Sequence, residues 1–298
     1  MSLRLAHFSD IHLTARPLRL ALGDWFGKRA TGWINARLGR GRHFLDAPTL
    51  ARVMATELKT RGYDHVVFSG DATTLGLRIE FEEVERVLCP AAGWPPALAV
   101  PGNHDYYTHR SARLKEFERV FAPWQEGERI GDHTYPFAQK AGPLWLVGVN
   151  SSDANLLFWD SRGRVGVPQL DRLRELFARL PPGPRIMVTH YPLCLADGRQ
   201  ETRWRRLRDA FHLRELAAGA GVRLWLHGHR HVHYFRAADA GLPFPVVCAG
   251  SATQAARWSY NEYLFADGKM FGRRRVWDPD AGAFADGDGF EIPFPLKP

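Results

Sequence analysis

Cysteine is scarce in this chain: Cys89, Cys194 and Cys248 are the only three among 298 residues. An odd number without paired spacing argues against a disulfide framework and for a reducing compartment. Long apolar runs are missing too, so no stretch of the sequence is long enough to span a bilayer. The first ten residues carry no charged leader followed by an apolar core, which argues against a signal peptide. Internal repeats and low-complexity linkers are also lacking, and one domain is the simplest reading. On these grounds the expected location is the cytoplasm, with peripheral association at a membrane left open.

What is present is an ordinary globular composition with a basic excess. Hydrophobic residues make up 45%, charged residues 24%, and the formal net charge is +8. That excess suits anionic partners in general: phosphorylated small molecules, nucleic acids or anionic lipid surfaces. No separate nucleic-acid module accompanies it, and no basic stripe interleaved with stacking aromatics is found outside residues 14–44.

Short apolar runs alternate with helical spacing along the chain. Strands are expected over 3–9, 65–69, 97–100, 144–149, 185–189 and 222–226, with helices over 48–61, 79–88 and 111–121. Residues 232–276 read mostly as strands. This pattern predicts an α/β fold of two packed mixed sheets with helices on their outer faces. The domain is expected over 1–277, with a helical insertion at 14–44 and an irregular tail at 278–298, which is rich in Gly, Asp and Pro.

Ligands of open α/β sheets sit beyond the carboxyl ends of strands. There this sequence places Asp10-Ile11-His12, Gly70-Asp71, Gly102-Asn103-His104-Asp105, His190 and Gly228-His229-Arg230-His231. Carboxylate, amide and imidazole together suit manganese, iron or zinc. Asp10 and His12, like His229 and His231, are one residue apart, so on an extended segment both side chains of each pair face one way. Asp71 follows Gly70, where the backbone can turn tightly, and is free to bridge two ions. Taken singly, an Asp-x-His at a strand end is most often a cap or a solvated loop. Five blocks in order, each closing an expected strand, are a different matter.

The ordered series resembles the signature of the calcineurin-like metallophosphoesterases, from near the start of the chain to about residue 231. The resemblance implies a four-layer sandwich with a dinuclear metal site at strand C-terminal ends. It implies Asp10, His12, Asp71 and His231 on a first metal, and Asp71, Asn103, His190 and His229 on a second. His104 would face the scissile phosphate without binding metal, with Asp105 behind it fixing its orientation and raising its basicity. His227 and His233 fall outside the pattern and read as structural, and His7, His43, His65, His109, His133 and His212 as ordinary.

The implied chemistry is hydrolysis of a phosphate ester by in-line attack of a metal-bridging hydroxide. Two divalent ions, two carboxylates and a hydroxide leave roughly one positive charge, which balances a phosphodiester monoanion better than a monoester dianion. A monoesterase or nuclease on the same site, or a non-catalytic scaffold, are the alternatives. Within the superfamily the chain is most similar to the class III cyclic nucleotide phosphodiesterase and glycerophosphodiesterase branch. Many of those cyclic nucleotide enzymes carry a second His where this chain has Tyr191.

The insertion holds Leu18, Leu22, Trp25, Phe26 and Trp33 near one helical face among Arg16, Arg19, Lys28, Arg29, Arg37, Arg40 and Arg42. It is expected to form helices overhanging the cleft. Such a segment either packs on the domain and solvates its arginines, or meets an anionic membrane surface or lipid.

Overall fold

The computed structural model describes residues 2–15, 20, 24–25 and 27–296. Leu18, Leu22, Phe26, Arg16 and Arg19 lie outside them. Two sheets form the centre. The first runs β13 (Ala283–Pro293), β12 (Lys269–Asp278), β11 (Ser259–Ala266), β1 (Leu3–Phe8), β2 (His65–Phe68) and β3 (Ala97–Ala99). The second runs β4 (Glu128–Arg129), β5 (Phe137–Ala141), β6 (Leu144–Gly148), β7 (Arg185–Val188), β8 (Val222–His227), β10 (Val246–Cys248) and β9 (Tyr234–Arg236). Central strands pair in parallel: β1 with β2, β2 with β3, β6 with β7 and β7 with β8.

These central strands are apolar on both faces because both faces are covered. Leu5, Val67 and Leu98 of the first sheet meet Leu146, Ile186 and Leu224 of the second in a core between the sheets. The alternate residues Phe8, Phe68 and Ala99 turn outward onto helices α2 (Ala47–Thr60), α3 (Arg78–Leu88) and α5 (Glu116–Val120), through Met54, Leu58, Val84 and Phe117. On the far side Val147, Met187 and Trp225 pack on α6 (Val167–Arg179) and α7 (Ala210–Gly219), through Leu173, Leu176 and Leu213. The result is the expected helix–sheet–sheet–helix sandwich, with the motif loops at one edge. No described helix is long and apolar enough to cross a membrane.

Two expectations are corrected. Residues 111–121 are not one helix: α4 (His109–Leu114) stops at Lys115, whose φ of 51° is left-handed, and α5 begins after it. The tail is not irregular either. Its residues 283–293 form β13, an edge strand on β12, in which Asp286 pairs with Arg273 and Arg275. Phe284 and Phe290 dock against Tyr260 and Phe235.

Within the insertion, α1 (Lys28–Leu38) and a 3₁₀ turn (Arg40–Phe44) form. Trp33 and Ala36 of α1 pack on Leu75, Leu77 and Tyr107. Arg29 is not solvated. It is buried and donates to the carbonyls of Leu75 and Gly76 and to Asp24, which roots the helix beside the Asp71 loop.

Candidate metal centre

The loops after β1, β2, β3, β7 and β8 converge at the edge of the two sheets. They bring the seven expected donors together, with Asp71 between two groups. Asp71 Oδ2 lies 3.5 Å from His12 Nε2 and 3.4 Å from His190 Nε2. On the His12 side, His231 Nε2 is 3.0 Å from both His12 Nε2 and Asp10 Oδ1. On the His190 side, Asn103 Oδ1 is 3.2 Å from His190 Nε2 and 2.9 Å from His229 Nδ1. The donors therefore fall into two lobes sharing Asp71.

These spacings fit metal shells. Donors bound at roughly 2.0–2.2 Å to one ion sit roughly 3.0–3.5 Å from one another in octahedral or tetrahedral arrangements. The second observation is a buried acceptor: Asp10 Oδ1 is sealed from solvent and makes no hydrogen bond of good geometry, although His231 Nε2 stands 3.0 Å away. A fully buried, orphaned carboxylate oxygen is costly unless a cation meets it. Both observations fit a metal pair.

The imidazoles are fixed from behind. Nδ1 of His12 meets the Thr73 carbonyl, Nδ1 of His190 the Ser69 carbonyl, and Nδ1 of His231 the Gln254 side-chain oxygen. Each such bond places a proton on Nδ1 and turns Nε2 into the lobe. His229 is turned the other way, presenting Nδ1, and Tyr191 packs against its ring at 4.3 Å. The Tyr191 hydroxyl donates to the Ser161 carbonyl at 2.5 Å, so the residue is a brace rather than a donor to the lobes.

Charge follows the same plan. Burial favours the neutral carboxyl at Asp71, yet His190 and His104 beside it hold it well below the usual carboxylate range. Burial likewise opposes a charged His190, but Asp71 outweighs it and raises the ring to about 9. The site thus has a negative potential strong enough to retain a proton, which is the potential that would bind cations.

The backbone carries strain here. Asp10, His12, Asp71, His229 and His231 all have left-handed φ, between 41° and 70°. Non-glycine residues seldom adopt this conformation, and it costs of order 1–3 kcal/mol each. The pairs Asp10/His12 and His229/His231 thus reach the lobes from tight turns, not from the extended segments expected. Close approach of the loops explains two motif glycines. A Cβ at Gly102 would lie 2.0 Å from Asp71 Oδ1, and one at Gly228 1.9 Å from Ser9 Oγ.

Asp105 requires a correction. Its carboxylate accepts from the backbone amides of Gly102, Asp71, Ala72 and Thr73, stitching the Asn103 loop to the Asp71 loop. It makes no hydrogen bond to the His104 ring. The partner of His104 Nδ1 is the Thr74 carbonyl at 2.6 Å. His104 lines the cleft, its ring edge-on to His12.

The cleft over the lobes has a volume of about 230 Å³. Lys28 and Asn35 of α1, Tyr107, Phe158, Trp159 and Arg205 line it with the donors. A second, smaller hollow runs beneath α1 past Phe44 and Leu75, and shares Asn35, His104 and Tyr107 with the first. The insertion therefore borders the cleft. His227 bonds Gly228 and Tyr234, and buried His7 bonds Ser69 and Tyr263; neither reaches the lobes.

A family model described as calcineurin-like phosphoesterase matches residues 3–233. No curated protein sequence matches significantly. Among solved structures, a dimetal phosphatase from Danio rerio superposes with a TM-score of 0.63 at 12% identity, over 98% of this chain and 99% of that one. A purple acid phosphatase from yellow lupin seeds superposes with a TM-score of 0.60, also at 12% identity, over 99% of this chain. This chain spans about half of the lupin enzyme, 54% of its length. At such identity these likenesses speak for the fold.

Proposed function

The chain belongs to the calcineurin-like phosphoesterase family, and on that footing we propose that it is a two-metal hydrolase of phosphodiesters. The observation that carries this reading is the two-lobed donor set sharing Asp71 Oδ2. Asp10, His12, Asp71 and His231 would hold one ion, and Asp71, Asn103, His190 and His229 the other. Bound there, a metal pair supplies charge neutralisation for the phosphoryl oxygens and a nucleophile at neutral pH.

The remaining work falls to side chains at the cleft. The Thr74 carbonyl keeps a proton on His104 Nδ1, so a charged ring holds its second proton on Nε2. We assign that proton to the oxygen leaving phosphorus, a general-acid role worth roughly 10²–10⁴-fold in rate. Asp105 acts through the loops, holding the Asn103 turn against the Asp71 turn. The two hollows that meet at His104 and Tyr107 suit a phosphate with two organic arms.

One observation favours a second reading. Lys28 and Arg205 line the cleft and add positive charge beyond the metals. They would serve either a second anionic group on a diester or a monoester dianion. Comparing kcat/KM for bis(p-nitrophenyl) phosphate and p-nitrophenyl phosphate with one metal decides. The diester is expected to be cleaved faster, and a clear monoester preference would establish a phosphatase instead.

A further inference from the structure

The cleft opens between two banks of exposed apolar side chains. Trp25, Leu38 and Leu45 stand on the insertion side, and Leu156, Phe158 and Trp159 on the loop after β6. Leu38 is 70% and Leu156 78% exposed, so neither covers any core. Phe158 and Trp159 line the cleft together with Lys28 and Asn35 of α1, and Lys28 Nζ reaches the Asp160 carbonyl at 3.4 Å, so the two segments meet at its mouth. Ser161 in turn bonds the Trp204 carbonyl, which draws residues 203–205 to the same rim. Single exposed leucines are unremarkable, but aromatic and aliphatic residues gathered around one opening mark an interaction surface.

Charge identifies what the rim meets. Several arginines elsewhere on the surface are paired, Arg86 with Glu83, Arg119 with Glu116 and Glu85, Arg174 with Asp171, while others such as Arg52 and Arg110 stand alone among the described residues. On the insertion and on the 203–205 segment that borders the cleft, Arg37, Arg42, Arg203 and Arg205 have no carboxylate partner among the described residues. Arg37 and Arg203 instead lie over the rings of Trp33 and Trp204. Tryptophan and leucine beside unneutralised arginine is the chemistry of an interface between hydrocarbon and anionic headgroups.

We propose that this rim seats on an anionic phospholipid bilayer, with the cleft facing the membrane. The docking stands independently of the catalytic reading. Its consequence, that the substrate phosphoester is presented at the membrane, rests on that reading.

The test uses the full-length, metal-loaded protein and vesicles of phosphatidylcholine, with and without about one-third phosphatidylglycerol. Flotation should show at least about tenfold stronger partitioning to the anionic vesicles, weakening at high salt. The double variant Leu38→Ser/Leu156→Ser should lose about tenfold or more of that binding. Its melting temperature and metal content should match the parent, since neither residue packs in the core. Arg37→Gln/Arg203→Gln should remove the preference for anionic lipid. Failure to bind anionic vesicles, equal binding to both vesicle types, or unchanged binding by the leucine variant would overturn the proposal. So would a concentration-dependent dimer that the leucine variant abolishes. Diester hydrolysis without vesicles is read in parallel. Hydrolysis without docking defeats only the docking, and docking without hydrolysis defeats only the catalytic reading.

Discussion

Metal binding at this centre should be coupled to the loss of a proton from His190. In the metal-free protein that ring is raised to about 9, because the buried Asp71 carboxylate outweighs the cost of burying charge. At pH 7 the ring is therefore about two pH units below its midpoint and almost wholly protonated, with its nitrogen unavailable as a donor. Competition with the proton lowers apparent affinity by roughly two orders of magnitude at pH 7, or about 3 kcal/mol. The sign follows directly: affinity rises by about one log unit per pH unit from 7 and levels off as pH passes 9. Calorimetric titration of metal into the metal-free protein, in buffers of differing ionisation enthalpy, should find at least one proton released per protein at pH 7. The same linkage acts on folding. Without metal, the raised His190 contributes about 3 kcal/mol below its unfolded pKa near 6.5, and this is lost as pH climbs through about 9. Metal affinity independent of pH between 7 and 9, with no proton release, would refute the placement of His190 against Asp71.

Asp71→Asn keeps the shape but removes the shared charge, so both ions should be lost together, as read by elemental analysis. His104→Ala should keep both ions and lose roughly 10²–10⁴-fold in kcat; equal metal loss in the two variants would show that His104 is misassigned. Gly228→Ala would drive a methyl into Ser9 and Asp10, and should lower the melting temperature and metal content together. A variant with parental stability and metal would mean that the loops are not clamped at that point.

The candidate donors that the fold gathers were legible in the sequence because metal chemistry restricts residue type: Asp, His and Asn must appear as themselves at strand ends. The parts that hold them were not. Three imidazoles are oriented by the carbonyls of Ser69 and Thr73 and by Gln254, and a backbone carbonyl leaves no signature in residue identity. The left-handed turns at Asp10, His12, His229 and His231 are likewise occupied by residues that normally avoid them, so spacing suggested extended segments. Asp105 was recognisable as a site residue but not in its role, which depends on amides from loops separated in sequence by more than thirty residues. The central strands declared themselves through unbroken apolar runs covered on both faces. β13 did not, because an edge strand held by Asp286 against Arg273 and Arg275 reads as a polar, glycine-rich tail. Lys115 ends a helix without glycine or proline to announce it. The exposed residues Leu156 to Trp159 carried no periodic signal and gained meaning only when the fold set them opposite the insertion.

The central claim is that seven side chains form two metal sites sharing Asp71. A crystal structure of the purified, active protein, with anomalous data collected at the metal edges, tests it most directly. Two peaks should appear, both in contact with Asp71 Oδ2, one also on Asp10, His12 and His231 and the other on Asn103, His190 and His229. A single peak, or two peaks that do not share Asp71, would contradict the account.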